Sequence, residues 1–181
     1  MLGMVFTEFM EMVEDRFSPA IADSVIESAK LPHGGAYTAV GYYAHEEIIA
    51  LVVGLSKQTG IPVPDLVTAF GQHLLKRFSE IYPQMFASHT SLFSFVASID
   101  AEIHREVRKL YPQAQLPRFT VLEIEERVMR LAYESPRSME ALAVGLMLGA
   151  AEHFGEQVKI SHTAGTVEGR PATVFHIDKN T

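Results

Sequence analysis

The sequence predicts an α+β protein: an N-terminal run of helices, then a four-stranded antiparallel sheet whose strand pairs are separated by one long helix. Three observations carry this. Apolar residues recur at helical spacing as far as Tyr111. Pro112 and Pro117 then break the pattern. Beyond them, two pairs of alternating, strand-like runs flank one apolar helix, an order that suits an antiparallel sheet and not a βαβ array.

The elements follow in order. Residues 2–17 place Val5, Phe6, Phe9, Met10 and Val13 on one helical face. Ser18-Pro19 stops that helix and starts the next, with Ser18 as N-cap and Pro19 at the first helical position. The second helix runs to about Lys30, and Pro32, Gly34 and Gly35 form a loop. A third helix spans 44–58 and ends at Gly60, which suits a left-handed cap. Pro64-Asp65 opens a fourth through Leu66, Phe70, Leu74 and Phe78. A short helical piece at 81–86 leads to a helix over 91–111. Runs 119–124 and 128–133 read as strands around 125–127. The helix over 139–154 carries Gly145 and Gly149, four apart, which leave one face bare for a close neighbour. Runs 157–162 and 172–177 read as the last two strands, around a turn containing Gly165 and Gly169.

Composition limits the function. The chain has 181 residues, 48% of them hydrophobic, enough for one large domain or two small ones sharing a core. A net charge of −7 argues against nucleic acid or an anionic membrane surface as partner. With no cysteine, disulfides, thiolate catalysis and cysteine–zinc sites are excluded. The longest uncharged apolar run, 141–151, is about half the ~20 residues of a membrane span. No basic leader precedes the first helix, so a cytoplasmic protein is expected.

Eight histidines are present, and none has a partner at metal-ligand spacing on a helix. His45-Glu46 begins like a zinc-protease motif, but Ile49 stands where the second ligand would be. No phosphate loop, nucleophile elbow or dinucleotide fingerprint occurs. His104 sits among Phe93, Val96, Ile99, Ile103 and Val107. Such a histidine is most often a satisfied core residue, and the functional alternative is an axial haem ligand, which needs one neutral imidazole nitrogen. Tyr133-Glu134-Ser135-Pro136-Arg137, if extended, aligns Tyr133, Ser135 and Arg137 on one side. Two hydroxyls and a guanidinium suit two carboxylates, while an ordinary strand end with an exposed arginine explains the same spacing.

Taken together, these motifs resemble the haem nitric-oxide/oxygen-binding (H-NOX) family in its bacterial stand-alone form, related to the sensor domain of soluble guanylate cyclase. The likeness covers essentially the whole chain. It rests on the opening Met1-Leu2-Gly3-Met4-Val5-Phe6, on Phe70-Gly71-Gln72 followed by Phe78, and on Ile103-His104-Arg105-Glu106-Val107. Leu116-Pro117, the Tyr133-x-Ser135-x-Arg137 pattern and Gly145-Leu146-Met147-Leu148-Gly149-Ala150 complete it.

The resemblance implies a helical subdomain over 1–62 and a haem-ligating subdomain over 63–181, with haem b between them. It implies His104 as iron ligand, Tyr133, Ser135 and Arg137 on the propionates, and Pro117 against the porphyrin. It implies a gas pocket of Val5, Phe9, Leu74, Phe78, Leu142 and Leu146. All six are apolar, and relatives that hold oxygen resemble this chain but carry a tyrosine where Leu142 stands. A nitric-oxide sensor that also takes carbon monoxide and excludes oxygen is therefore expected, without enzymatic activity and without zinc. Output is expected through a partner, a histidine kinase or a cyclic-di-GMP enzyme (diguanylate cyclase or phosphodiesterase). The rival readings are a haem enzyme and a haem-free helical adaptor.

Overall fold

A computed structural model of the chain describes residues 1–179. Four helices come first: α1 (Gly3–Arg16), α2 (Pro19–Ala29), α3 (His45–Thr59) and α4 (Val63–Ile81). Their ends are set by local chemistry. The Ser18 hydroxyl accepts from the Ile21 N–H at 3.2 Å, with Pro19 at the start of α2. Gly60 ends α3 at φ 74°, and its N–H donates to Ser56 O. Pro83 stops α4, so the short helical piece expected at 81–86 shrinks to one 3-10 turn, Pro83–Met85.

The helix expected over 91–111 is three consecutive pieces: α5 (Leu92–Ser98), a widened π segment (Ile99–Ile103) and α6 (His104–Leu110). The His104 N–H reaches back five residues to Ile99 O.

The sheet holds β1 (Arg118–Ile124), β2 (Val128–Glu134), β3 (Val158–Val167) and β4 (Arg170–Lys179) in the order β1-β2-β4-β3, every pair antiparallel. The last hairpin is longer and tighter than expected. Gly165 lies inside β3, paired with Ala172, and the turn is Glu168-Gly169, both at positive φ. Gly165 is needed there because a Cβ would meet Val174 Cγ2 at 2.7 Å.

Between β2 and β3 runs α7 (Glu140–His153), apolar all round and therefore buried on two sides. Ala143, Met147 and Ala150 join a core with the sheet and α5, built around Leu92, Phe95, Met129, Leu131, Phe175 and Ile177. A second core joins α1, α2, α3 and the first half of α4. The other face of α7 lies against α4 at backbone distance: a Cβ on Gly145 would meet Gly71 Cα at 2.8 Å, and one on Gly71 would meet Leu142 O at 2.6 Å. Leu75 and Gln72 crowd Gly149.

This contact gives a signed prediction. Alanine is favoured over glycine inside a helix by about 1 kcal/mol. Gly54 in α3 has only ordinary van der Waals neighbours, at 3.4 Å or more. Gly54→Ala should therefore raise the urea midpoint. Gly145→Ala should lower stability by about 1–3 kcal/mol through overpacking. Equal or raised stability for Gly145→Ala would mean the two helices are not in backbone contact.

Candidate functional site: a cavity between the two cores

A largely apolar cavity of about 550 Å³ opens between the two cores. That volume lies within the usual range for sites that enclose a sizeable organic ligand. Its lining comes from α1, α4, the α5–α6 helix, residues 113–117, β1, β2 and α7.

His104 lines the cavity at the end of the π segment and is 9% exposed. Its Nδ1–H donates to Asp100 Oδ1 at 2.8 Å, since the carboxylate can only accept. That fixes the tautomer and leaves Nε2 with its lone pair for the cavity. Burial pulls the imidazole below the ordinary histidine range, against the opposing pull of Asp100. The ring is thus neutral at neutral pH, the form that ligates metals. Asp100 also acts beyond the histidine. Its Oδ2 accepts from the Phe119 N–H at 3.1 Å, tying the helix to the first residues of β1. The Phe119 ring packs on His104 at 5.9 Å and on Tyr133 at 5.3 Å.

Tyr133, Ser135 and Arg137 all line the same cavity, but not by strand alternation. The strand ends at Glu134, and Pro136-Arg137 form a turn. The Ser135 hydroxyl accepts from the Arg137 N–H at 3.2 Å, a local bond that competes with extended backbone. Tyr133 is buried, which pushes its phenol up. The Arg137 guanidinium reaches across to Gln115, donating from Nη1 to its carbonyl O at 2.9 Å and from Nη2 to Oε1 at 2.7 Å.

Pro117, Val5, Leu74, Phe78, Leu142 and Leu146 line the cavity. Phe9 does not. It is fully buried in the N-terminal core, edge-on to Phe70 at 5.2 Å, because one helical turn beyond Val5 the face of α1 has rotated away.

The lining is also less uniformly apolar than expected. Tyr42, Tyr82 and Tyr111 belong to it. The Tyr82 and Tyr111 hydroxyls are 3.1 Å apart, joining the C-terminal end of α4 to that of α6. Burial first, and then Tyr111, push the Tyr82 phenol up to about 12. Asp100, the histidine's partner, and Tyr82 both escape the sequence reading, though their spacing is visible in it. Asp100 stands four residues before His104, and Tyr82 four after Phe78, spacings that put side chains on one helix face.

The sequence profile of the family described as Haem-NO-binding matches residues 2–162. The chain belongs to the haem-NO-binding (H-NOX) family. Among solved structures, the unliganded Fe(II) H-NOX protein of K. algicida is 34% identical, with a TM-score of 0.91 over 100% of this chain and 97% of that one. The IWP-051-bound H-NOX of Shewanella woodyi in its Fe(II)CO state is 40% identical, with a TM-score of 0.84 over 99% and 95%. The S. oneidensis H-NOX protein in its Fe(II)NO state is 28% identical, with a TM-score of 0.90 over the full length of both. No curated protein matches the chain.

H-NOX domains are haem-binding gas sensors. The residues of this chain fit that group: a neutral imidazole nitrogen facing an apolar cavity, with two hydroxyls and a guanidinium on the same lining for two carboxylates. Among the described residues, no helix is long and apolar enough to cross a membrane.

The Asp100 carboxylate should make His104 a stronger electron donor to a metal. In Asp100→Asn the iron–histidine stretching frequency of the reduced haem protein should fall, read by resonance Raman. An unchanged frequency would mean that the charge of Asp100 does not reach the ligand.

Proposed function

We propose that this protein is a ferrous-haem sensor that binds nitric oxide, excludes oxygen and regulates a separate signalling protein. The observation that carries the reading is His104, with Nδ1 held by Asp100 and Nε2 free on the lining of an apolar cavity. Haem b, when bound, would supply an iron that can take a gas as well as the histidine nitrogen.

Each residue then has its own part. His104 would donate Nε2 to the iron. Tyr133, Ser135 and Arg137 bind the two carboxylates, and Pro117 packs on the ring. Val5, Leu74, Phe78, Leu142 and Leu146 keep the gas side apolar. These five offer no hydrogen-bond donor, which disfavours oxygen, a ligand that gathers negative charge on ferrous iron. The Tyr82 and Tyr111 hydroxyls share one hydrogen bond, in which either oxygen can be the donor.

His104 would hold the iron, and a gas that weakened this hold would free α6 to shift. Asp100 passes that shift to the start of β1 through the Phe119 N–H. Two bodies, 1–62 and 63–181, move against each other. The backbone contact of Gly71 with Gly145 supports grouping α4 with the second body. A gas can drive this change only by its differential affinity for the two arrangements. The surface so altered is read by a histidine kinase or by a diguanylate cyclase or phosphodiesterase.

The test is the absorption spectrum of the reduced protein alone, in air, and with nitric oxide. A haem band unchanged by air, and shifted by nitric oxide to a form that has lost its histidine, is the expected result. A stable oxygen complex would overturn the selectivity and point to Tyr82 as donor. A colourless protein after expression with haem supplied would leave a helical adaptor.

A further inference from the structure

Resting on the haem reading above, we propose that Gln115 is a positioning residue for carboxylate binding: it holds the Arg137 guanidinium in place for a haem propionate. Gln115 lies outside the Tyr133-x-Ser135-x-Arg137 pattern and 22 residues from Arg137 in sequence. The single residue supplies two acceptors to the guanidinium, its carbonyl O to Nη1 at 2.9 Å and its Oε1 to Nη2 at 2.7 Å. The carbonyl and the side chain thus grip two of the five N–H groups of a rigid, planar fork.

An arginine otherwise has several rotatable bonds to freeze before it can bind a carboxylate in two-pronged fashion. The Gln115 grip removes much of that freedom in advance and leaves the other N–H groups for the ligand. Gln115 and Arg137 both line the cavity. Arg137 is anchored again at its own N–H by the Ser135 hydroxyl. Gln115 also stands two residues before Pro117, in a segment whose far end is tied to the His104 helix through Asp100 and the Phe119 N–H.

The experiment measures haem loss to an excess of a haem-scavenging apoprotein. It uses the full chain loaded either with haem or with haem dimethyl ester, which lacks the two carboxylate charges. Gln115 is exposed, so Gln115→Ala removes a surface side chain and leaves the cores alone. For haem, Gln115→Ala should speed loss about fivefold, a fraction of the worth of a charge-assisted hydrogen bond. For the dimethyl ester it should change nothing. In an Arg137→Ala background, Gln115→Ala should add nothing further, since Gln115 acts through the arginine. Equal acceleration for haem and ester, or an undiminished effect without Arg137, would assign Gln115 to loop packing and overturn the proposal. If the unaltered protein holds haem firmly and Gln115→Ala loses it no faster, the proposal falls while the haem reading stands. If the unaltered protein takes up neither pigment, both fall together.

Discussion

Replacing His104 with glycine should yield a folded protein that binds haem weakly and recovers it when imidazole is added. The side chain removed lines the cavity, and its Nδ1 bond to Asp100 leaves Nε2 as the nitrogen that could meet a metal. Partners of metal ligands are themselves worth about 10–100-fold in affinity, so loss of the ligand should exceed about a hundredfold. The cost to the fold is smaller. Glycine inside a helix loses about 1 kcal/mol against alanine. The ring contact with Phe119 goes as well.

The hole left by the ring has the shape of an imidazole. It retains Asp100, whose carboxylate can accept from the N–H of the added molecule as it does from His104 Nδ1. Rescue should therefore depend on Asp100: the double variant His104→Gly/Asp100→Asn should need much more imidazole than His104→Gly alone. Haem titrations with and without imidazole decide it. Unchanged haem affinity in His104→Gly would remove His104 from the site.

Leu142→Tyr should confer oxygen binding on the reduced protein. Leu142 lines the cavity from α7, and its backbone carbonyl faces Gly71 of α4. A phenol projecting from there carries an O–H towards the gas side. A hydrogen bond to a charged acceptor is worth about 1.5–3 kcal/mol, or roughly 10–150-fold in affinity. Overpacking by the larger ring would cost about 1–3 kcal/mol in a filled core, and less where the ring extends into open space. Leu142→Phe is the control, with the same ring and no donor. Oxygen titration of the three proteins under reducing conditions measures the hydroxyl alone. Equal oxygen affinity for the tyrosine and phenylalanine variants would mean that position 142 does not look onto the gas.

Much of the scaffold is legible in the sequence where one residue type decides a local geometry. Ser18-Pro19 and Gly60 bound their helices as expected, and the bare face of α7 at Gly145 and Gly149 meets α4. Where several weak preferences compete, the sequence is silent. Nothing in the aliphatic pattern of Ile99–Ile103 announces a turn one residue wider than its neighbours. The turn at Pro136-Arg137 depends on one side-chain-to-backbone bond from Ser135, so alternation does not describe it. Phe9 and Val5 share a face by periodicity, yet the small angle between them separates core from cavity. The Gln115–Arg137 and Tyr82–Tyr111 bonds join residues 22 and 29 apart, which no local pattern reveals. Spacing does not distinguish among the eight histidines; the reading of His104 as ligand rests on the resemblance of Ile103-His104-Arg105-Glu106-Val107 to the H-NOX family.

Because Gly71 and Gly145 bring two helix backbones into direct contact, neither helix has room to yield towards the other. Leu74 and Phe78 stand on one of them, Leu142 and Leu146 on the other. The placement of these four on the cavity lining is thus tied to a main-chain contact, a mesh of fixed spacing. On the proposed reading, descendants of this sequence could exchange one gas for another by altering what is mounted on the mesh, with the frame itself left as it is.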